Sequence, residues 1–154
     1  MKTKAVAICL FLCCFAVAVS LAADGFMGTW KLNEAKSKIS GSGPKNNTVV
    51  YEAAGDSIKV TIDAIGADGK PTHSEWTGKY DGKDYPVTGD PTSDARSVKR
   101  IDDHTLHAVA KKDGKVILTA HIVLSADGKT RTVTTTSTDS KGAKVTSTAV
   151  YDKQ

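Results

Sequence analysis

The chain has 154 residues, of which 40% are hydrophobic and 25% are charged, and its formal net charge is +4 at pH 7. This length suits one domain and is too short for two ordinary ones. Positive and negative side chains alternate along the chain without the basic stripe that follows phosphate groups, which argues against nucleic-acid binding.

The first 23 residues have the pattern of a secretory signal peptide. Lys2 and Lys4 form a basic start, residues 5–21 form an apolar run, and Ser20 and Ala22 supply small side chains at the −3 and −1 positions of a cleavage site. A retained membrane anchor is the alternative. The apolar run of 17 residues is shorter than the ~20 that a membrane span needs, so we predict cleavage near residue 22 or 23.

All three cysteines lie inside this predicted signal peptide, at Cys9, Cys13 and Cys14. The remaining domain, residues 24–154, therefore has no thiol and no disulfide, and it must rely on its core and sheet hydrogen bonds. Loss of Lys2 and Lys4 would lower the net charge from +4 to +2. No second apolar run is long enough to cross a membrane. We expect a secreted or periplasmic protein without stable membrane insertion.

The domain reads as a series of β-hairpins. Asp-Gly-Lys occurs four times, at residues 68–70, 81–83, 113–115 and 127–129, and Asp-Gly is typical of two-residue hairpin turns that need positive φ angles. We predict an all-β fold, an up-and-down antiparallel barrel of eight to ten strands. The predicted strands cover residues 26–32, 47–53, 57–65, 72–80, 84–88, 95–101, 104–111, 115–124, 130–138 and 143–151.

Three segments depart from regular alternation. Residues 33–38 could form one or two helical turns with Asn33 as the N-cap. Pro86 cannot donate to a strand ladder, so its short strand is expected at an edge or a gap. Residues 116–124 are mostly apolar on both faces, which predicts a strand that is buried on both sides or packed on the helical segment.

The strand at residues 130–138 is polar on both of its faces. Thr130, Thr132, Thr134, Thr136 and Thr138 share one face, and Arg131, Val133, Thr135 and Ser137 share the other. Threonine is compatible with wet and half-buried strand surfaces. The strand therefore indicates either a solvated outer surface or a polar wall inside the barrel.

Both ends of the domain resemble a known superfamily. Gly28-Thr29-Trp30-Lys31-Leu32 resembles the Gly-x-Trp opening of the calycins, which include lipocalins and intracellular fatty-acid-binding proteins, and residues 149–153 resemble the last strand of the latter. The whole domain is also similar to secreted bacterial proteins described as lipocalin-like. The resemblance implies a lipocalin-like barrel in which Trp30 plugs one end and Gly28 permits a close approach.

The chain departs from these families in three respects. Ala149 stands where fatty-acid-binding proteins carry an arginine that helps to hold a ligand carboxylate, although Tyr151 keeps its place. The segment after the first strand is too short for their two-helix lid. The disulfide of many secreted lipocalins is also absent.

The candidate ligand-binding residues are side chains that a barrel could direct inward. Aromatic rings could line a pocket or merely fill the barrel, and His121 lies among apolar residues where enclosure is expected. Arg100 or Arg131 could pair with a ligand acid, or could cap Trp30 as an arginine does in lipocalins, and its position in the sequence favours Arg131 for the second role. The predicted ligand-binding residues are Tyr51, Trp76, Tyr80, His121, Arg131 and Tyr151.

Catalytic and metal motifs are absent from the sequence. There is no nucleophile elbow, phosphate loop or zinc-protease helix, and His104 and His107 would point to opposite faces of a strand. We therefore predict a non-enzymatic protein without a cofactor or metal, which holds a small apolar or amphipathic molecule inside the barrel. The alternative is a module that binds a protein partner through its loops, such as a secreted protease inhibitor or an envelope interaction protein.

Overall fold

Ten antiparallel strands form a closed barrel in the computed structural model, which describes residues 24–41, 43–139 and 141–154. Each strand pairs with its neighbour in sequence, and β1 pairs with β10 to close the barrel. The predicted all-β up-and-down barrel is confirmed. The predicted signal peptide, residues 1–23, lies outside the described residues. The strands are β1 (Gly28–Lys38), β2 (Lys45–Ala54), β3 (Ser57–Ile65), β4 (Pro71–Gly78), β5 (Asp81–Thr88), β6 (Ala95–Asp102), β7 (Thr105–Lys112), β8 (Lys115–Leu124), β9 (Thr130–Thr138) and β10 (Lys144–Lys153).

The Asp-Gly-Lys copies form two kinds of local structure. Asp113 and Gly114 are the two-residue turn between β7 and β8, with φ angles of 49° and 74° as such hairpins require. In the other three copies the aspartate accepts a hydrogen bond from the backbone N–H two residues later, at 3.0 to 3.1 Å. The prediction was wrong for residues 81–83, which lie inside β5 at a register shift rather than between strands.

The predicted helical turns at residues 33–38 are not formed, because β1 continues to Lys38. The backbone N–H of Lys36 does donate to Asn33 Oδ1 at 3.1 Å, as at a helix start. However, Val150 N donates to Ser37 Oγ at 2.9 Å, which ties the segment to β10. The hydrogen bond that was expected at a helix N-cap therefore forms inside a β-bulge, where the β1–β10 register shifts between Asn33 and Lys38.

The strand β8 is not buried on both sides, which corrects the prediction for residues 116–124. Ala120, Ile122 and Leu124 are buried, whereas Val116 and Val123 are 58% and 46% exposed. Successive side chains of a strand point to opposite faces, so every second residue of β8 points away from the barrel interior. In the described residues no second layer covers that outer face, which leaves its apolar side chains exposed.

The gap expected beside Pro86 is present. The ladder between β4 and β5 has only two residue pairs, Glu75 with Thr88 and Trp76 with Val87. By contrast, β5 pairs with β6 at four positions, one of which joins Pro86 to Ala95.

The two ends of the barrel differ. We call the end where β1 begins the base; Phe26, Trp30 and Leu106 are fully buried in this part of the molecule. The opposite end, the rim, is formed by the loops around Ile39, Thr92 and Asp139, which are exposed. Within the described residues, no helix is long and apolar enough to cross a membrane.

Replacing Gly89 by alanine is expected to destabilise the barrel at its rim. Gly89 has φ +75°, and a Cβ atom there would lie 2.2 Å from the backbone oxygen of His73. Gly128→Ala is the matched control, because Gly128 has φ +68° and no atom within 4 Å of its would-be Cβ. We expect about 1–2 kcal/mol of strain in both variants. Urea unfolding should show an additional loss for Gly89→Ala, and equal losses would contradict the close approach.

Candidate functional site

The barrel contains a cavity of about 540 Å³. Its walls include buried residues such as Val49 and Val98, and its lining continues to exposed rim residues such as Ile39 and Thr92. Ligand pockets in proteins typically measure ~300–1,000 Å³. The cavity therefore has the size of a small-molecule site and is connected to solvent at the rim.

The cavity exists because one side of the barrel carries small inward side chains. Ala108 of β7 and Ala120 of β8 are paired neighbours on adjacent strands. Both are buried and line the cavity, as does Ala110. Larger apolar side chains at these positions would fill the interior at the usual packing density. Trp76 and Tyr51 form part of the remaining wall.

Trp30 lies in the buried core at the base, next to Arg131, and does not itself line the cavity. It is fully buried, and its Nε1–H donates to the backbone oxygen of Phe26 at 2.8 Å. Arg131 Cζ lies 5.1 Å from the ring centroid and Lys153 Nζ lies 5.2 Å from it. Gly28 has φ +105°, and a Cβ there would lie 3.3 Å from Lys153 Cε, so glycine permits this approach.

Arg131 is the buried cation of the cavity. Its exposed fraction is 2%, and its Cζ lies 4.9 Å from the Tyr51 ring centroid and 4.7 Å from that of Tyr151. Together with Trp30, three aromatic rings thus surround the guanidinium. Within the described part of the chain, Arg131 Nε and Nη1 have no hydrogen-bond partner.

The strand β9 provides a polar wall. Its inward face, which includes Arg131, Val133, Thr135 and Ser137, lines the cavity. Of the two alternatives for this strand, the structure therefore supports a polar inner wall for the face that carries Arg131.

Tyr151 lines the cavity beside Arg131. Its hydroxyl donates to the backbone oxygen of Asn46 at 3.1 Å. Burial raises the pKa of Tyr151 to about 12. The hydroxyl is therefore a neutral donor at physiological pH.

The stability of the protein is expected to fall in alkali because of Tyr151. A tyrosine in the unfolded chain ionises near ~10, whereas burial raises the pKa of Tyr151 to about 12 in the fold. Its contribution is fully present below pH ~10 and is lost as the pH rises toward the folded pKa. Urea unfolding between pH 8 and 11 should show a weaker loss for Tyr151→Phe. A residual loss remains, since burial also raises the pKa of Tyr80.

Two predicted ligand-binding residues lie outside the cavity. Tyr80 does not line it, because β4 ends at Gly78 and the alternation does not continue into the turn. The Tyr80 ring instead lies below Arg100, whose Cζ is 4.8 Å from its centroid. His121 is exposed on the outer face, so its predicted enclosure was wrong.

The outward position of His121 follows from its neighbours. Ala120 and Ile122 point inward, so the residue between them must point outward. There His121 pairs with His107, with ring centroids 4.8 Å apart. Burial and the neighbouring His121 lower the pKa of His107. Among the described residues, no group of three possible metal ligands is present.

An ion pair that the sequence analysis missed lies near the rim. Arg96 Nη2 is 3.6 Å from Asp90 Oδ2, and both residues line the cavity. Burial opposes ionisation of Asp90, but hydrogen bonds from Ser93 and Thr92 lower its pKa. Arg96 could have been predicted to point inward, because it lies two residues before Val98 on the same strand face. Asp90 could not, because it lies in a loop, where side-chain direction does not alternate regularly.

No protein-family model matches this chain, and no curated protein matches it in sequence. Among solved structures, the chain is similar to a redesigned β-barrel, mFAP1, bound to DFHBI, with 15% identity, a TM-score of 0.47, and coverage of 86% of this chain and 98% of that chain. It is also similar to EF1p2_mFAP2b bound to DFHBI, with 11% identity, a TM-score of 0.50, and coverage of 86% and 97%. At such identity the second likeness concerns the fold alone, and it agrees with a barrel.

Proposed function

We propose that this chain is a secreted or periplasmic, non-enzymatic binding protein that holds a small apolar or amphipathic molecule inside its barrel. One observation carries the proposal: a cavity of about 540 Å³ that is lined by buried side chains such as Val98 and Ala120 and that reaches exposed residues at the rim. A barrel that only presented its loops to a protein partner would gain nothing from interior space, because filling it would add stability.

The composition of the wall supports an amphipathic ligand. Val60, Ile62 and Leu118 offer apolar contact, whereas Thr135 and Ser137 offer hydroxyl groups. Ligand sites typically combine a mainly apolar lining with a few polar groups that fix orientation. An apolar body with one polar group fits this lining.

Secretion is part of the same proposal and rests on the sequence of residues 1–23. Expression of the full chain in a bacterium, followed by intact mass measurement of the periplasmic fraction, tests it. Loss of 22 or 23 residues is the expected result. A full-length chain that stays in the membrane fraction would support a retained anchor instead.

The binding proposal is tested with N-phenyl-1-naphthylamine, a neutral apolar probe whose fluorescence increases when it leaves water. We expect saturable binding of one probe per chain in the micromolar range, driven by burial of its rings. The protein must be purified without detergent, since detergent could occupy the cavity. Linear, unsaturable fluorescence would contradict an accessible cavity.

A further inference from the structure

We propose that His107 and His121 together bind one divalent transition-metal ion, of the class that includes Zn²⁺, Ni²⁺ and Cu²⁺, on the outer face of the barrel. The two imidazoles are the protein ligands, and water molecules complete the coordination. The site lies outside the cavity and goes beyond the proposed function.

The strand register brings the two histidines together. His107 of β7 and His121 of β8 are direct partners in the antiparallel ladder, and their inward neighbours Ala108 and Ala120 line the cavity, so both imidazoles lie on the outer face. Directly opposite residues of two strands have Cβ atoms only ~4.5–5.5 Å apart. The sequence predicted no metal site because the two histidines lie on different strands, and only the fold pairs them.

The spacing of the two rings suits a shared metal ion. Zinc–imidazole bonds are ~2.0–2.1 Å long, so two rings on one ion have centroids about 4.5 Å apart at a right bond angle and about 5.2 Å apart at the tetrahedral angle. The centroids of His107 and His121 are 4.8 Å apart, between these two values. Their planes are inclined by 56°, so the rings are not stacked face to face.

The ring nitrogens of this pair are not engaged elsewhere. Within the described residues, the histidine ring that forms a side-chain hydrogen bond is that of His73, whose Nδ1 lies 2.7 Å from Asp63 Oδ1. His107 is half-buried and His121 is exposed, so an ion from solvent can reach the pair. Two neutral imidazoles on a rigid sheet can therefore accept a metal ion without breaking an existing hydrogen bond.

The neighbours of the pair determine the class of metal. Across the sheet, Lys99 is the partner of His107 and Thr134 is the partner of His121, so no carboxylate flanks the two rings in the register. Mg²⁺ and Ca²⁺ require oxygen ligands, whereas imidazole suits zinc, nickel and copper. The stem of Lys99 lies over Gly82 of β5, on the side of β6 away from His107.

Calorimetric titration with zinc chloride tests the proposal on protein that carries no histidine tag. At pH 7.5 an imidazole with the ordinary pKa of ~6.5 is mostly neutral and able to bind metal. We expect one Zn²⁺ per chain with a dissociation constant of about 10–100 µM, because the protein supplies only two of the four ligands of a structural zinc site.

His107→Gln and His121→Gln should each lower the zinc affinity at least about tenfold, because one imidazole alone remains. His104→Gln is the matched control. His104 is exposed in the turn between β6 and β7 and is not a partner of the pair, so its loss should leave the affinity unchanged. Equal zinc binding by all three variants would show an adventitious ion only and would overturn the proposal.

Nuclear magnetic resonance of the histidine ring nitrogens gives a second readout that needs no variant to fold. On addition of zinc to the unchanged protein, the ring signals of His107 and His121 should shift together along one saturation curve, and those of His73 and His104 should not. Signals of the pair that stay in place would show that the two rings pack only against each other, which contradicts the proposal. The affinity for N-phenyl-1-naphthylamine is a separate measurement, so failure of the metal site leaves the proposed function intact.

Discussion

Replacing Trp30 by alanine lowers the free energy of unfolding by about 3–5 kcal/mol, the usual cost of truncating a fully buried large aromatic side chain. Trp30 has no exposed surface. The truncation also leaves the backbone oxygen of Phe26 without its 2.8 Å donor and removes the ring that the cationic groups of Arg131 and Lys153 contact. Urea unfolding followed by far-ultraviolet circular dichroism measures the loss.

Trp30→Phe is the control for this truncation. It keeps an aromatic ring at the base and removes the Nε1–H, so the loss should be smaller, about 1–3 kcal/mol. A loss below about 1 kcal/mol for Trp30→Ala would show that the base is held by other residues.

Replacing Ala120 by tryptophan should abolish binding of the neutral probe while the barrel remains folded. Ala120 is buried in the cavity wall, beside its paired neighbour Ala108 on the adjacent strand. A tryptophan there extends into a cavity of about 540 Å³, so the overpacking that penalises a filled core is avoided. We expect the affinity for N-phenyl-1-naphthylamine to fall at least about tenfold, because the ring occupies the space of the probe.

Thr119→Trp controls for the added aromatic surface. Thr119 is the preceding residue of β8 and does not line the cavity. Its affinity for the probe should equal that of the unchanged protein. Equal binding by Ala120→Trp and Thr119→Trp would place the probe on the outside of the barrel.

The strands were predictable because their signals are local. Alternation such as Ile58, Val60 and Ile62 in β3 reports which residues face the core, and the prediction for residues 57–65 matches β3. The turn at Asp113 and Gly114 likewise depends only on the φ angles of its own residues. The bulge after Asn33 was not predictable, because its deciding partner, Val150, lies at the other end of the chain.

The positions of the cavity-lining residues were predictable where side chains alternate regularly along a strand, and the prediction failed where this alternation was extended too far or misread. Tyr51, Trp76, Arg131 and Tyr151 all line the cavity, at inward positions of their strands. Tyr80 was assigned by extending the alternation of β4 beyond its end at Gly78. His121 was misplaced because apolar neighbours on both faces suggested burial, although the barrel has only one inner face. The cavity itself depends on small residues of different strands lying side by side in the sheet, as Ala108 and Ala120 do. The sequence of one strand does not show which residues of another strand will pair with it.

The most direct test of the central claim, that the barrel holds a small molecule, is native mass spectrometry of the protein purified without detergent from its own source. We predict a reproducible excess mass of one small molecule per chain that disappears on denaturation. A bare mass, together with no saturable uptake of N-phenyl-1-naphthylamine, would contradict the claim and direct attention to a protein partner at the rim loops.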